Sequence, residues 1–496
     1  MLSLIVFLPL LAAVALATVP RVGDTLARWT WVAVAAVDLG LVAVLWLRYD
    51  TPRPGQLAFV ERAAWIPGVN SSYHLGVDGL SLPLVAMTVV IFLACAGYAL
   101  RERHRPRGQA ALFLFLQSVS LGLFVAADLI LFFVFFDLSL VGMYFVIAGW
   151  GHGDRARSAL KFFLYTFLGS LALLVGFIGL YVAADPHTFD MPQLAAAPPL
   201  QGRPLAGGLV LAAILLGLVV KTPAVPFHTW LPPAHTDAPA VGSAVLAGVL
   251  LKMGTYGFVR IAMPMLPQAW RAWAGVVTVI GIVSVIYGAL VALAQSNVKR
   301  MIAYTSVNHM GYIILAVGVA GLAATGTAQA RGVAVAGAVT QMVSHGLITG
   351  ALFLLAGVLH DRARTYDVHD FGGLAAPAPA FAALFAVGAF ASLGLPAFSG
   401  FIAEFQIFTG SIAAAPVTAV AVLGILVTAA LFLRALQQIC TGETAGRSVG
   451  FADLRADELW SVGPLLLLSL VIGVAPRPLL DVVEPAAHAV VGLLGR

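Results

Sequence analysis

Charge is what this sequence has least of. Only 10% of its 496 residues are Asp, Glu, Lys or Arg, whereas 61% are hydrophobic; soluble domains carry about a quarter charged residues. Too little charge remains to coat a water-facing surface, which excludes a soluble globular protein. Cysteine is nearly missing as well. Cys95 and Cys440 are the two, in no metal or redox spacing, so neither a disulfide scaffold nor a thiolate-held cluster is expected, and both read as packing residues. No glycine fingerprint opens a helix after a strand, which leaves no dinucleotide-binding unit. Connections between apolar runs are mostly too short for a separate catalytic module.

What is present is a succession of apolar runs with a mean hydropathy of +0.98. At roughly 20 residues per crossing, these predict an all-α polytopic membrane protein of about 14 transmembrane helices. The first run, residues 1–20, lacks a basic leader and is read as a retained span. A second, 29–47, carries Asp38, expected to face a neighbouring helix. Residues 48–75 form a long polar connection, and residues 73–83 a turn-rich entry to the third span. Arg101 to Arg107 is the densest basic run. Further spans are expected at about 109–126, 128–149, 160–183, 205–234, 240–261, 271–294, 299–320, 332–358, 376–411, 416–437 and 459–476.

The basic residues sort against this count. Of 27 Lys and Arg, sixteen fall in odd-numbered loops or the span ends that border them, nine in even-numbered loops, their bordering span ends or the C-terminal tail, and Lys221 and Lys252 remain inside spans. By the positive-inside rule the odd loops face the cytoplasm and both termini lie outside. The two lysines left within spans have a pKa that burial can move, which arginine does not.

The stretch 220–239 concentrates the unusual chemistry. Lys221 ends a long apolar run, Pro223 and Pro226 follow and cannot continue helical hydrogen bonding, and His228, His235 and Asp237 come next. Ionisable groups inside a membrane mark ion or proton paths by default, and broken helices are where transporters place them. A lysine snorkelling to the interface is the plain alternative. Asp137, embedded in FFVFFDLSL, invites pairing with Lys221, either as a switch that sets the lysine's affinity for its proton or as a structural ion pair. Residues 393–400 contain a second proline break, followed by Glu404, five spans after the first. An odd displacement inverts a repeat in the membrane, so two inverted five-helix repeats are expected, each containing a broken helix. The chain then divides into 1–108 (helices 1–3), 109–261 (first repeat), 262–437 (second repeat) and 438–496 (loop and helix 14). His309 and His345 lie between the lysines and Glu404 and titrate closest to neutrality, as relay members do; satisfied core histidines are equally compatible with the pattern. His228 and His235 have no thiolate or clustered carboxylate beside them, so no metal site is expected.

The segments LGVDGLSLPLV, FFDLSLVGMYFVIAGWG, KTPAVPFHTWLPPAHTDAP, VLAGVLLKMGTYGFVRI, VKRMIAYTSVNHMGY, QMVSHGL and LPAFSGFIAEF occur in this order over about residues 75–435. Together they closely resemble the antiporter-like membrane subunits of respiratory complex I. The resemblance implies that Asp137 stands for the family's fifth-span glutamate, paired with Lys221. Lys252 matches the eighth-span lysine, His309 and His345 the histidine-bearing motifs, and Glu404 a twelfth-span position that is glutamate in one branch and lysine in others. These six are the expected proton-translocation residues, with His228, His235 and Asp237 in support. Asp137 departs from the pattern by one methylene, which implies a looser or water-bridged pair. The resemblance further implies a role in proton transport driven by quinone reduction in other subunits, which hold the NADH, FMN, iron–sulfur and quinone sites, with no cofactor in this chain. Its partners would be the neighbouring antiporter-like subunits of the membrane arm and the lipid bilayer of a bacterial cell membrane, with no nucleic acid. Two other readings stay open: a D-type subunit of a multisubunit Na⁺/H⁺ antiporter or hydrogenase-linked homologue, and a structural subunit that no longer pumps.

Overall fold

The computed structural model of the protein describes residues 1–19, 22–53, 55–322 and 326–495. Arg21 and Arg496, counted above for orientation, lie outside the described residues. The chain opens with α1 (Leu2–Thr18) and α2 (Asp24–Leu47), then a hairpin of β1 (Ala58–Ile66) and β2 (Ser71–Val77). Next come α3 (Leu82–Tyr98), α4 (Pro106–Val125), α5 (Leu129–Trp150), α6 (Arg155–Ala183) and the short α7 (Met191–Ala196). The first broken segment is α8 (Pro204–Lys221) with α9 (Leu231–Asp237). It leads to α10 (Ala240–Met265), α11 (Pro267–Leu293), α12 (Val298–Ala320) and α13 (Ala328–Ala363). The second broken segment is α14 (Pro379–Ser392) with α15 (Ser399–Ala414). The chain ends with α16 (Pro416–Cys440), α17 (Ala456–Val474) and α18 (Arg477–Leu494).

Among the described residues twelve helices are long and apolar enough to cross a membrane, and α1 and α14 are shorter apolar helices. Both proline breaks fall where the sequence puts them. Three helices, α10, α12 and α13, are almost wholly enclosed by the others, whereas α2, α16 and α17 keep most of their surface outward. A helix apolar all round is stable enclosed or in lipid; these three also carry polar side chains, which only the enclosed position tolerates. Close approach is built from small residues. Gly281 of α11 abuts the backbone at Leu315, and Gly311 of α12 abuts that at Val285, the packing that substitutes for a hydrophobic drive in lipid. Asp38 is buried and accepts a hydrogen bond from Gln117 Nε2 at 2.7 Å, so it faces a helix as expected.

Three features depart from the sequence expectation. The polar connection 48–75 contains the hairpin, fastened to span ends by two aspartates. Asp128 caps α5 by accepting from the Ile130 and Leu131 amides, and also accepts from Ser71 Oγ at 2.9 Å and the Ser72 amide at 3.0 Å. Asp190 caps α7 and takes His74 Nδ1 at 2.8 Å and Arg62 at 3.1 Å. The tail beyond residue 476 is a helix, α18, with Leu479, Val483, Ala487 and Val490 turned inward. Finally, α10 widens into π turns at Leu246–Leu250 and Phe258–Ala262, which periodicity does not reveal.

The hairpin anchor has a defined pH response. Burial works to raise the Asp190 carboxyl, but bonds from His74 and the Gln193 amide, with the His74 and Arg62 charges, outweigh it and hold the group below the usual carboxylate range. Stability from a depressed carboxylate is present above its unfolded value of about 3.9 and is lost as pH falls through the lower folded value. Asp190→Asn is expected to remove about 1.5–3 kcal/mol from the anchor. Hydrogen exchange of residues 58–77 at neutral pH checks this: loss of protection there, with α10 unchanged, is the expected outcome.

Candidate proton-translocation site

The first break places Lys221 at the last turn of α8, where the following prolines free the chain to turn. Trp230 Nε1 reaches back across the break to the Val220 carbonyl at 2.9 Å and holds the two sides in register. Lys221 is 1% exposed. Its Nζ donates to Ser139 Oγ at 2.9 Å and lies 4.8 Å from the centre of the Phe136 ring. Asp137 is not its direct partner: no ion pair joins them among those of the described residues, and Asp137 Oδ1 is buried without a hydrogen bond. The reason is helical geometry. Ser139 and Asp137 are two residues apart on α5, roughly 200° around its axis, so Lys221 bonds on the hydroxyl's face while the carboxylate turns to Ser170, within charge range of the lysine but out of contact. The expected contact pair is therefore open in this structure.

Lys252 is completely buried on α10, just after the first π turn. That turn aims the Ala247 carbonyl at Nζ, 2.5 Å away, and His345 Nδ1 of α13 lies at 2.6 Å. A lysine ammonium has no lone pair and a neutral imidazole has one, so this contact is a ready proton donor and acceptor. His345 Nε2 meets Ser306 Oγ at 3.2 Å, and its ring stands 5.4 Å from that of His309, edge to face. His309 Nε2 is 3.2 Å from the Ser392 carbonyl at the end of α14 and 3.8 Å from Glu404 Oε1 on α15. The structure thus brings four of the expected residues, Lys252, His345, His309 and Glu404, into one line.

A cavity of about 10 Å³ lies on that line, bordered by His309, Gln341, His345, Ser392 and Glu404. His309 Nδ1, Gln341 Oε1 and Ser392 Oγ have no protein partner. A space this small with three such atoms suits one water molecule, the usual bridge between polar groups too far apart to touch. Beside it runs a ladder of hydroxyls: Ser344 to Ser399 at 2.8 Å and Ser399 to Ser469 at 2.8 Å, joining α13, the second break and α17.

The supporting residues scatter. His228 packs against Tyr287 and Tyr304, with ring centres at 5.1 and 6.2 Å. Asp237 accepts from Ser158 Oγ at 2.6 Å, and its carbonyl from the His152 amide at 2.8 Å. His235 is fully buried, stacked on Phe353 at 4.5 Å, and neither ring nitrogen has a partner. It lies within charge range of both Lys252 and Lys299.

Lys299 is the residue that sequence reasoning passed over as a loop cation. It is fully buried in the first turn of α12, donating to the Ala238 carbonyl and, at 3.5 Å, to that of Thr236, with its Nζ 5.3 Å from the Tyr366 ring centre. Above it His152, His360 and Tyr366 stack with ring centres 4.6–5.6 Å apart. In the loop after α5, His152 is pushed down to about 4, by burial first and then by the charges of Lys299 and His360. The available signal was the expected span 299–320 itself, which begins on Lys299; its place at the span end is what set it among the loop cations. Among the described residues no three His, Cys, Asp or Glu side chains gather as a metal site.

Residues 126–432 match the family described as NADH:quinone oxidoreductase/Mrp antiporter, transmembrane. The chain belongs to that family. Full-length relatives agree: NADH-quinone oxidoreductase subunit M of Rhodobacter capsulatus is 38% identical, with 99% of this chain and 96% of the relative covered. NAD(P)H-quinone oxidoreductase chain 4 1 of Nostoc sp. is 37% identical, covering 98% and 91%. In structure, a chain of respiratory complex I from Thermus thermophilus with bound NADH superposes with a TM-score of 0.89 at 31% identity over all of both chains. A chain of the Mrp complex from Dietzia sp. gives 0.84 at 23% identity, covering 99% and 97%, and shares the fold.

The second break is tuned by Gly394, whose φ of +77° is open to glycine and whose missing side chain leaves room for the Glu404 carboxylate. Gly394→Ala is expected to cost about 1–3 kcal/mol and to displace Glu404 from His309, read as a lengthened contact in a structure of the variant. Gly40→Ala, at a helix position with open space around it, is expected to change neither.

Proposed function

We propose that this chain is a proton-translocating subunit in the membrane arm of a bacterial NADH:quinone oxidoreductase, closest in kind to subunit M. The line Lys252–His345–His309–Glu404, enclosed in the middle of the protein, is the observation that carries this reading. A scaffold has no use for charges this costly to bury, so the non-pumping alternative lacks support. The D-type antiporter reading shares the fold but gains nothing from the Dietzia likeness beyond fold; the relatives at 37–38% identity favour the oxidoreductase. NADH, FMN, iron–sulfur clusters and quinone belong to other subunits, and quinone reduction there supplies the energy.

In this reading fourteen segments cross the membrane, α1 and the second broken segment joining the twelve long helices, and residues 109–261 and 262–437 are inverted repeats. The basic loops face the cytoplasm and both termini the outside. Protons enter through the His152–His360–Tyr366 mouth to Lys299, pass His235 to Lys252 and leave by His345, His309 and Glu404. Lys221 acts beside this row as the switch. With Asp137 turned away, its Nζ is held by a neutral hydroxyl and releases its proton readily; with Asp137 swung in, the carboxylate keeps it charged. The shorter aspartate makes the open arrangement the easier one. Thr222, whose buried hydroxyl is unpartnered and packs against Gly254 on α10, is the contact through which the switch touches the Lys252 helix.

Measuring proton pumping together with NADH-to-quinone electron transfer in membranes tests this. Lys221→Ala is expected to assemble and lose most coupled activity, and Asp137→Glu to keep or raise it; normal pumping by Lys221→Ala sinks the switch. Lys299→Arg keeps the charge but cannot release a proton at working pH. It is expected to assemble and lower pumping at least tenfold, whereas a fully active Lys299→Arg removes Lys299 from the path.

A further inference from the structure

The densest basic run has no part in proton transfer, and it closes one end of an apolar groove. The groove, about 750 Å³, lies between α1, α4 and α5 and is lined by side chains such as Leu10, Val14, Leu112, Phe115 and Phe145, with Arg105 and Arg107 at its end. Val14 and Phe145 are half exposed, so the groove opens outward rather than into the bundle. The arginine end is fixed in place. Trp150 Nε1 donates to the His104 carbonyl at 2.8 Å, and the Arg105 guanidinium stands 5.7 Å from the centre of the Trp150 indole. Arg107 donates to the carbonyls of Leu16 and Ala17 at the end of α1, at 2.5 and 3.1 Å.

The acids near Arg105 are engaged by other groups. Arg101 is paired with Asp457, and Glu102 folds the loop by accepting from the Arg103 and His104 amides, both at 2.8 Å. Arg105 has no carboxylate within 4.0 Å among the described residues. A cation therefore sits at the end of an outward-facing apolar channel, braced by a tryptophan, the pairing found at membrane–water boundaries.

We infer that this groove binds an anionic phospholipid, with an acyl chain along α1 and α5 and the phosphate at Arg105. One lipid molecule supplies both halves of what the surface asks for, an apolar chain and an oxyanion that arginine takes in bidentate fashion. A helix of a neighbouring subunit fills the groove equally well only if it carries a carboxylate at the depth of Arg105. A zwitterionic lipid brings its own cation toward the arginines, and two juxtamembrane arginines favour an anionic over a neutral lipid by about thirtyfold. In the orientation proposed above the site belongs to the cytoplasmic leaflet; the binding itself does not depend on that orientation or on proton translocation.

The test uses the intact complex in nanodiscs of equal phosphatidylglycerol and phosphatidylcholine. A photoreactive benzoylphenylalanine replaces Val14, and mass spectrometry of the cross-linked chain identifies the occupant. Strong preference for phosphatidylglycerol is expected, falling about fivefold in Arg105→Gln and unchanged in Arg203→Gln, an exposed arginine at the start of α8 that does not line the groove. Equal capture of both lipids overturns the anionic specificity. Cross-links that run to another subunit instead of lipid overturn the site altogether.

Discussion

Everything in this protein answers to the cost of holding charge away from water. Lys221, Lys252, Lys299 and Glu404 are each enclosed, and none has an opposite charge in hydrogen-bonding contact. Each is satisfied by something weaker: a serine hydroxyl, a carbonyl freed by a π turn, a helix-end carbonyl, a histidine just within reach. Strong pairs fix protons in place; weak partners leave them transferable. The breaks and the π turns follow from this constraint, since regular helices turn their carbonyls inward along the axis and offer none to a buried lysine.

The enclosing architecture serves the same end. Three helices that carry the polar row are surrounded by others that meet lipid, and glycine-lined contacts bring α11 and α12 close enough to exclude bulk water. The hairpin and α18 sit outside this core and tie spans together at their ends. Asp128 and Asp190 each do two jobs there, capping a helix and anchoring a strand.

Much of this was legible in the sequence, for physical reasons that differ by residue. Both breaks were readable because proline cannot donate, and Lys252, His309, His345 and Glu404 because ionisable residues in apolar runs are rare enough to stand out. A looser Asp137–Lys221 pair was readable from the missing methylene, but the hydroxyl that takes the carboxylate's place was not: pairing by charge ignores which way a helix turns each side chain. Lys299 was hidden by its position one residue inside a helix end, where sequence cannot tell a solvated terminus from an enclosed one. The π turns leave hydropathy unchanged. The hairpin was obscured by its polar residues, which are polar because they bind the two capping aspartates.

The serine ladder adds a property that positions alone do not express. Ser399 both gives and takes a hydrogen bond between Ser344 and Ser469, and either partner in each contact can be the donor. Such a row has a polarity, with all its O–H dipoles aligned toward α13 or all toward α17. Reversing it requires only hydroxyl rotation, with no heavy atom displaced. The second break is thereby joined to the last span by an element with two orientations of equal geometry.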